Sequence, residues 1–403
     1  MAPGREERQI MQDEHEAGQL NAALIEKLKT EGFLAAPTIE QAFRSVLRHH
    51  FLPGRPWHEV YANEAIVTHR DPEHGMPISS SSEPAAMALM LTQLRVQPGM
   101  RVLEIGTGTG YNAALLAELT GNADLVWTLD LDADICEEAR LHLMAAGTTG
   151  IHILCTDGWN GYPEAAPYDR IIITASAYDL SPAWFAQLRE GGRIVLPWSR
   201  LTTAQRGMAF LKHGDRLVLA DNVYYGFMPM RGEYGQPPQL TDESGFAWRS
   251  DRLTATDLTR LSRLVEQPPT VHACPALPEP VDRIDDLLFF IAVQDARTIA
   301  RQRMVSEREI EFRIGLADVE QSALCLMVNG SPALLQSWGD GALADELLQH
   351  IQRWVDLGRP TPQRVQLTAY LIGAAPTPGA DERLLRRRWF DYLVSWTPSY
   401  DDD

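Results

Sequence analysis

The chain has 403 residues, 54 of them acidic and 36 basic, which gives a formal net charge of −18, and 45% are hydrophobic. That length allows two or three domains. The acidic balance argues against a nucleic-acid or anionic-membrane binder, and no stretch approaches the ~20 uncharged apolar residues of a membrane helix. The polar opening MAPGREERQIMQDEHE does not read as a secretory signal. The four cysteines, Cys136, Cys155, Cys274 and Cys325, have no metal-like spacing and are too few for a disulfide scaffold, so a cytoplasmic chain without a metal is expected.

In chain order, residues 1–18 read as a disordered, polar N-terminus. Leu20, Leu24 and Leu28 recur at helical spacing and predict a helix over 19–31, which Gly32 stops. A second helix is expected at 38–48, followed by an irregular Pro-, Gly- and Ser-rich stretch over 52–82 that ends in Ser79-Ser80-Ser81-Ser82. The segment 83–94 predicts a helix with Pro84 in its first turn. Short β-branched runs at 101–106, 125–130, 151–157, 170–176 and 192–197 then alternate with helices at 111–119, 133–146 and 181–189. That alternation predicts a parallel sheet covered by helices on both faces. Residues 207–230 predict an antiparallel hairpin turning at Gly214-Asp215, and 233–245 a linker. Beyond it an α+β domain is expected over 246–403. It has a helical or extended stretch near 284–300, strands at 308–315, 322–328, 332–338 and 364–371, helices at 341–357 and 381–394, and a solvated tail Asp401–Asp403.

The run Glu104-Ile-Gly106-Thr107-Gly108-Thr-Gly110 falls where the first strand turns into a helix. Glycines there let the backbone approach a ligand, and the helix N-terminus offers free N–H groups. A dinucleotide fingerprint would read G-x-G-x-x-G. Glu104 followed by Gly106, Gly108 and Gly110 instead resembles the class I methyltransferase loop, whose ligand, S-adenosyl-L-methionine, carries a sulfonium. The second strand ends at Asp130, about 20 residues further on, where a carboxylate accepts from ribose hydroxyls. Leu131 follows it, and Asp157-Gly158 at the third strand's end suits the adenine edge.

Five collinear segments resemble the protein-L-isoaspartate O-methyltransferase family over about residues 19–230: LNAALIEKLKTEGFL, FRSVLRHHFLPG, EIGTGTGYNAALLAEL, TDGWNGYPEAAPYDRIIITASA and QLREGGRIVLPWS. The resemblance implies a Rossmann-like class I methyltransferase domain at 19–232 that uses S-adenosylmethionine. Ser80-Ser81-Ser82-Glu83-Pro84 resembles the family's active-site segment. This implies Ser82 as its active-site serine, with Ser81 and Ser80 as secondary contacts.

Three features depart from the compact repair enzyme: the four-serine run, Asn63 where the family commonly has Asp, and the C-terminal ~160 residues. Together they resemble actinobacterial homologues that methylate an aspartate side chain in a cyclised ribosomal peptide, a lanthipeptide or graspetide, on the way to a succinimide (aspartimide). The expected partner is then a modified precursor peptide, gripped by the second domain, with no nucleic acid and no membrane. The alternatives are repair of isoaspartyl residues in damaged proteins, a catalytically silent binding protein, and a nucleic-acid methyltransferase. The last is disfavoured by Thr174-Ala175-Ser176-Ala177 in place of an Asn/Asp-Pro-Pro-aromatic run.

Overall fold

Strands this short and this apolar are stable only when buried on both faces, and the helices between them supply that cover. The computed structural model describes residues 5–199, 203–235, 240–250, 252–279, 281–306, 309–328, 330 and 332–397. The chain divides into two units, Met1–Trp198 with Arg206–Gly235, and Ser199–Gln205 with Gln236–Asp403.

The first unit opens with α1 (Arg5–Thr30), α2 (Pro37–Ser45) and α3 (Trp57–Val60). Helix α1 begins well before residue 19, so residues 5–18 are helical rather than disordered. They are rich in Glu, Gln and Arg and contain no proline, and such residues sustain a helix even without an apolar face. Residues 66–81 are not irregular either: β1 (Ile66–Arg70) pairs antiparallel with β2 (Pro77–Ser81). The serine run is therefore mostly a strand, with Ser79 and Ser81 buried and Ser80 less so.

Next come α4 (Pro84–Leu94), β3 (Val102–Ile105), α5 (Tyr111–Thr120), β4 (Val126–Asp130), α6 (Ala133–Ala145), β5 (His152–Cys155), β6 (Tyr168–Ile173), α7 (Pro182–Gln187), β7 (Leu188–Trp198), β8 (Arg206–His213) and β9 (Arg216–Tyr224). The sheet order is β9-β8-β7-β6-β3-β4-β5. Strands β7, β6, β3, β4 and β5 run parallel, and β8 and β9 follow antiparallel on the β7 side. Chain direction across the sheet reverses at β3, because β4 and β6 lie on either side of it. In open α/β sheets a ligand crevice forms at such a switch point.

Helices α4 and α5 are mostly apolar and buried on nearly every face, with Met87, Met90, Leu91, Leu94, Leu115 and Leu116 all buried. Each such side chain contributes about 1.5–3 kcal/mol relative to exposure. Helix α4 stops where Arg95 turns left-handed, at φ 54. Residues 225–231 do not extend β9, because Gly226 and Pro229 break the pattern. The loop is instead pinned by Ser176 N–H donating to Met228 O (2.7 Å) and Met230 N–H donating to Ser176 O (2.9 Å).

In the second unit, β10 (Leu240–Thr241) pairs with β11 (Ala247–Arg249), so 233–245 is not all linker; residues 236–239 lie outside the described residues. Helix α8 (Ala255–Val265) opens on a capping box between Thr254 and Asp257. There follow β12 (Thr270–Ala273), α9 (Ile284–Ala292), β13 (Thr298–Ser306), β14 (Glu309–Asp318), β15 (Ala323–Val328), β16 (Leu334–Trp338), α10 (Ala342–Asp356), β17 (Val365–Leu371), β18 (Arg383–Arg386) and β19 (Phe390–Trp396). One antiparallel sheet runs β10-β11-β13-β14-β15-β16-β12. Residues 381–394 do not form a helix: β18 and β17 both pair antiparallel with β19, whose Phe390-Asp-Tyr-Leu-Val-Ser-Trp396 is aromatic and β-branched. Arg387 is accordingly buried and donates to Ser199 O, and Arg388 lies over the Trp389 ring. The expected tail 401–403 lies outside the described residues.

Candidate active site

The ends of β3, β4 and β6 and the loop after β5 surround a cavity of about 460 Å3, which lies wholly within the first unit. Ser80, Ser81, Ser82, Gly106, Thr107, Gly108, Asp130, Leu131, Asp157 and Gly158 all line it. Glu104 and Gly110 are not among its lining residues.

The glycine loop has the shape its sequence requires. Gly106 sits at φ +105, and a Cβ there would stand 2.4 Å from Thr174 Oγ1. The Thr174 hydroxyl in turn donates to Gly106 O (2.7 Å) and ties the ends of β3 and β6 together. Strand β2 covers the loop, with Ser80 O 3.4 Å from where a Cβ on Gly108 would lie.

Asp130 ends β4 with both oxygens occupied. Oδ2 accepts from Gly108 N–H (3.0 Å) and Oδ1 from Leu131 N–H (2.8 Å). Burial raises its pKa against these bonds. Each oxygen keeps a lone pair for a ribose hydroxyl, which would offset part of that burial cost. Asp157 Oδ1 accepts from Trp159 N–H (2.9 Å), and Trp184 Nε1–H donates to Gly158 O (2.8 Å), which ties both residues of the Asp157-Gly158 pair to their surroundings. The cradle a Cβ would fill and the two carboxylates fit a cofactor with a ribose and a positive charge.

Glu104 supports the loop from behind. It is fully buried, accepting from Asn112 Nδ2 (2.7 Å) and Thr128 Oγ1 (2.7 Å). Burial lifts its pKa from the ordinary 4.5 to about 7, while the two hydrogen bonds pull the other way. The folded state therefore binds more protons than the unfolded chain between pH 4.5 and about 7, and stability falls as pH rises through that window. Glu104→Gln should flatten this part of a thermal-melt profile. The Thr128 hydroxyl can reverse to accept from the new amide, so the fold should persist. A melt profile identical to wild type over the window would contradict the role given to this carboxylate.

The serine end of the cavity is built around Arg48, which lies within the FRSVLRHHFLPG segment, and Asn63, neither of which the sequence marks as a site residue. Arg48 is fully buried and donates to the carbonyls of Val60 (2.8 Å), Ala62 (3.2 Å), Glu64 (3.1 Å), Ser81 (3.3 Å) and Ser82 (2.9 Å), and to Ser81 Oγ (3.3 Å). Asn63 Oδ1 accepts from Ala85 N–H (2.9 Å), capping α4, while its Nδ2 donates to Glu83 Oε1 (3.0 Å). Asn63 thus acts on the helix start rather than on the acceptor's charge directly. Asn63→Asp should set a second carboxylate against Glu83 and cost about 1–2 kcal/mol in a denaturant titration, with Glu83→Gln restoring the loss. Equal stability of Asn63→Asp and wild type would show that this contact holds nothing.

Pro84 has no N–H, Asn63 takes that of Ala85 and Glu83 O that of Met87, which leaves the Ala86 N–H on a residue lining the cavity. Ser82 lines the same wall, and its side chain has no hydrogen-bond partner among the described residues. Met228, Met230 and Arg231 also line the cavity, and Arg231 is fixed by an ion pair to Asp132. Only the spacing of Gly226 and Pro229 hinted at this loop.

A doubly wound sheet with the glycine loop at its switch point and a carboxylate ending the next strand defines an S-adenosylmethionine-dependent class I methyltransferase. The family model for protein-L-isoaspartate(D-aspartate) O-methyltransferase matches residues 19–234, more than half of the chain, and the chain belongs to that family. It is 38% identical over 199 residues to the protein-L-isoaspartate O-methyltransferase of Thermotoga maritima, a match covering 49% of this chain and 62% of that protein, under two thirds of its length. The enzyme of that name from Pyrococcus horikoshii is 32% identical over 227 residues, 56% of this chain and 99% of its own. A solved protein-L-isoaspartate O-methyltransferase shares the fold, with a TM-score of 0.52, at 24% identity over 86% of this chain and 96% of its own. That coverage extends beyond the first unit. No helix among the described residues is long and apolar enough to cross a membrane.

Proposed function

We propose that the chain transfers a methyl group from S-adenosylmethionine to the free carboxylate of L-isoaspartyl residues in peptides and proteins. The observation carrying this reading is one cavity lined by Asp130 and Asp157 and also by Ser82 and the start of α4, where Asn63 donates to the Glu83 carboxylate. A cationic cofactor suits the first pair and an anionic acceptor Ser82 and the α4 start.

The chemistry asks little of the acceptor side. A carboxylate with a pKa of about 4 is already ionised at neutral pH, so no general base is required. S-adenosylmethionine, when bound, supplies an electrophilic methyl group on a positive sulfur. Ser82 O–H and Ala86 N–H hold one carboxylate oxygen in line, aided by the positive end of the α4 dipole. Strand β2 excludes water over the glycine loop. Because anion and sulfonium lose their charges together, a dry site favours the transition state over the separated ions.

The resemblance to peptide-tailoring homologues rested on the serine run, Asn63 and the C-terminal unit. The run forms β2 and its edge, Asn63 caps α4, and the fold shared with a solved protein-L-isoaspartate O-methyltransferase extends past the first unit, so none of the three favours a cyclised peptide. Isoaspartyl repair is the better supported reading. Its test is transfer of labelled methyl from S-adenosylmethionine to a linear isoaspartyl peptide and to its aspartyl twin, read as base-released methanol. Strong preference for the isoaspartyl peptide is expected, and equal or reversed preference would refute the reading.

A further inference from the structure

A chain of net charge −18 must draw a carboxylate into a cavity whose lining includes Glu83, Asp130 and Asp157. Long-range steering works against that, so attraction has to be local. The cationic residue among those lining the cavity, Arg231, is paired with Asp132.

Arg48 differs. It lies directly behind the acceptor wall, donating to Ser81 and Ser82, and it is fully buried. Among the described residues none of its hydrogen-bond partners is a carboxylate: five backbone carbonyls and one hydroxyl hold it. Burying an unpaired guanidinium is costly, and carbonyl dipoles offset this without cancelling its net charge. Burial pulls its pKa down only to about 10, so it stays charged at neutral pH. A buried cation is also screened less by salt than a surface one, so its field acts on the adjoining Ser81-Ser82 wall. The same fork fixes the backbone of the 60–64 segment and of the 81–82 segment at once, and Asn63, which caps α4, lies within the first of these.

We propose that Arg48 is the positioning residue for the acceptor: it locks Ser82 and the α4 start in place, and its uncompensated positive charge makes the serine end select an anionic group. This rests on the carboxyl-methylation reading and adds to it the source of anion selectivity.

The test uses the full chain with two variants and two ligands. The ligands are a linear isoaspartyl peptide and the same peptide with that carboxyl group converted to its neutral amide, used as a competitive inhibitor. Wild type should methylate the first and bind the amide at least about tenfold more weakly, the scale of a charge-assisted interaction. Arg48→Lys keeps the charge but not the fork. It should raise KM for the peptide about tenfold while preserving the carboxylate-over-amide preference and leaving the Kd for S-adenosylmethionine within about twofold. Arg48→Met, measured where it remains folded, should lose the preference. A purely structural role would weaken cofactor and both peptide ligands together and leave their ratio unchanged. An unchanged KM in Arg48→Lys, or an intact preference in Arg48→Met, overturns the proposal. Wild-type failure to methylate the isoaspartyl peptide would instead bring down the functional reading itself, before any variant is measured.

Discussion

Asp130→Ala is expected to raise the dissociation constant for S-adenosylmethionine by at least about a hundredfold, the sum of two lost charge-assisted hydrogen bonds. The carboxylate does two jobs. It holds the Gly108 and Leu131 N–H groups, which shapes the glycine loop, and it offers its remaining lone pairs to the ribose. Burial raises its pKa against these bonds, and hydrogen bonds from the ribose should offset part of that cost. Asp130→Asn keeps one acceptor and should fall between wild type and alanine. Calorimetric titration of the free chain measures this without any acceptor. A change below about threefold for the alanine variant would remove Asp130 from the cofactor site.

Ser82→Ala should lower kcat/KM for the acceptor peptide by about a hundredfold or more, the usual scale for a positioned donor at a reacting oxygen, and leave cofactor affinity unchanged. The neighbouring serines should behave differently. Ser81 is buried with its hydroxyl on Arg48, so Ser81→Ala should register mainly as lost stability. Ser80 contributes its backbone to the cover over Gly108, so its side chain should matter least. Steady-state kinetics beside thermal melts separate the three. If Ser81→Ala and Ser82→Ala lose the same stability and the same activity, the serine run acts as a scaffold and Ser82 has no special part.

The contrast between these residues shows what the sequence made legible. The parallel core could be read because each strand is a short apolar run between helices, and the glycine loop because its geometry admits few other residues. Asp130 and Asp157 followed from their places at strand ends. Arg48 and Asn63 could not be read that way, since their roles depend on carbonyls and a helix start 12 to 34 residues away. The hairpin at 66–81 is hidden by its serines, by Pro72 and Pro77 and by Gly75, which read as loop until tertiary cover fixes them. Residues 381–394 misled for the opposite reason. Leu384, Leu385, Trp389, Phe390 and Leu393 satisfy a helical period, and only pairing with β17 settles them as strands. The helix over 5–18 was missed because polarity was read as disorder where good helix formers sufficed.

The central claim is that this cavity esterifies the free carboxylate of an isoaspartyl residue in an ordinary, uncyclised chain. The most direct measurement is a competition in one vessel. Equal amounts of a linear isoaspartyl peptide, its linear aspartyl twin and an aspartyl peptide cyclised through its side chains are incubated with the full chain and S-adenosylmethionine, then resolved by mass spectrometry. The mass increment of one methyl ester should appear first and overwhelmingly on the isoaspartyl peptide, followed by the loss of methanol that marks succinimide closure. Methylation confined to the cyclised peptide, with the isoaspartyl peptide untouched, would contradict it.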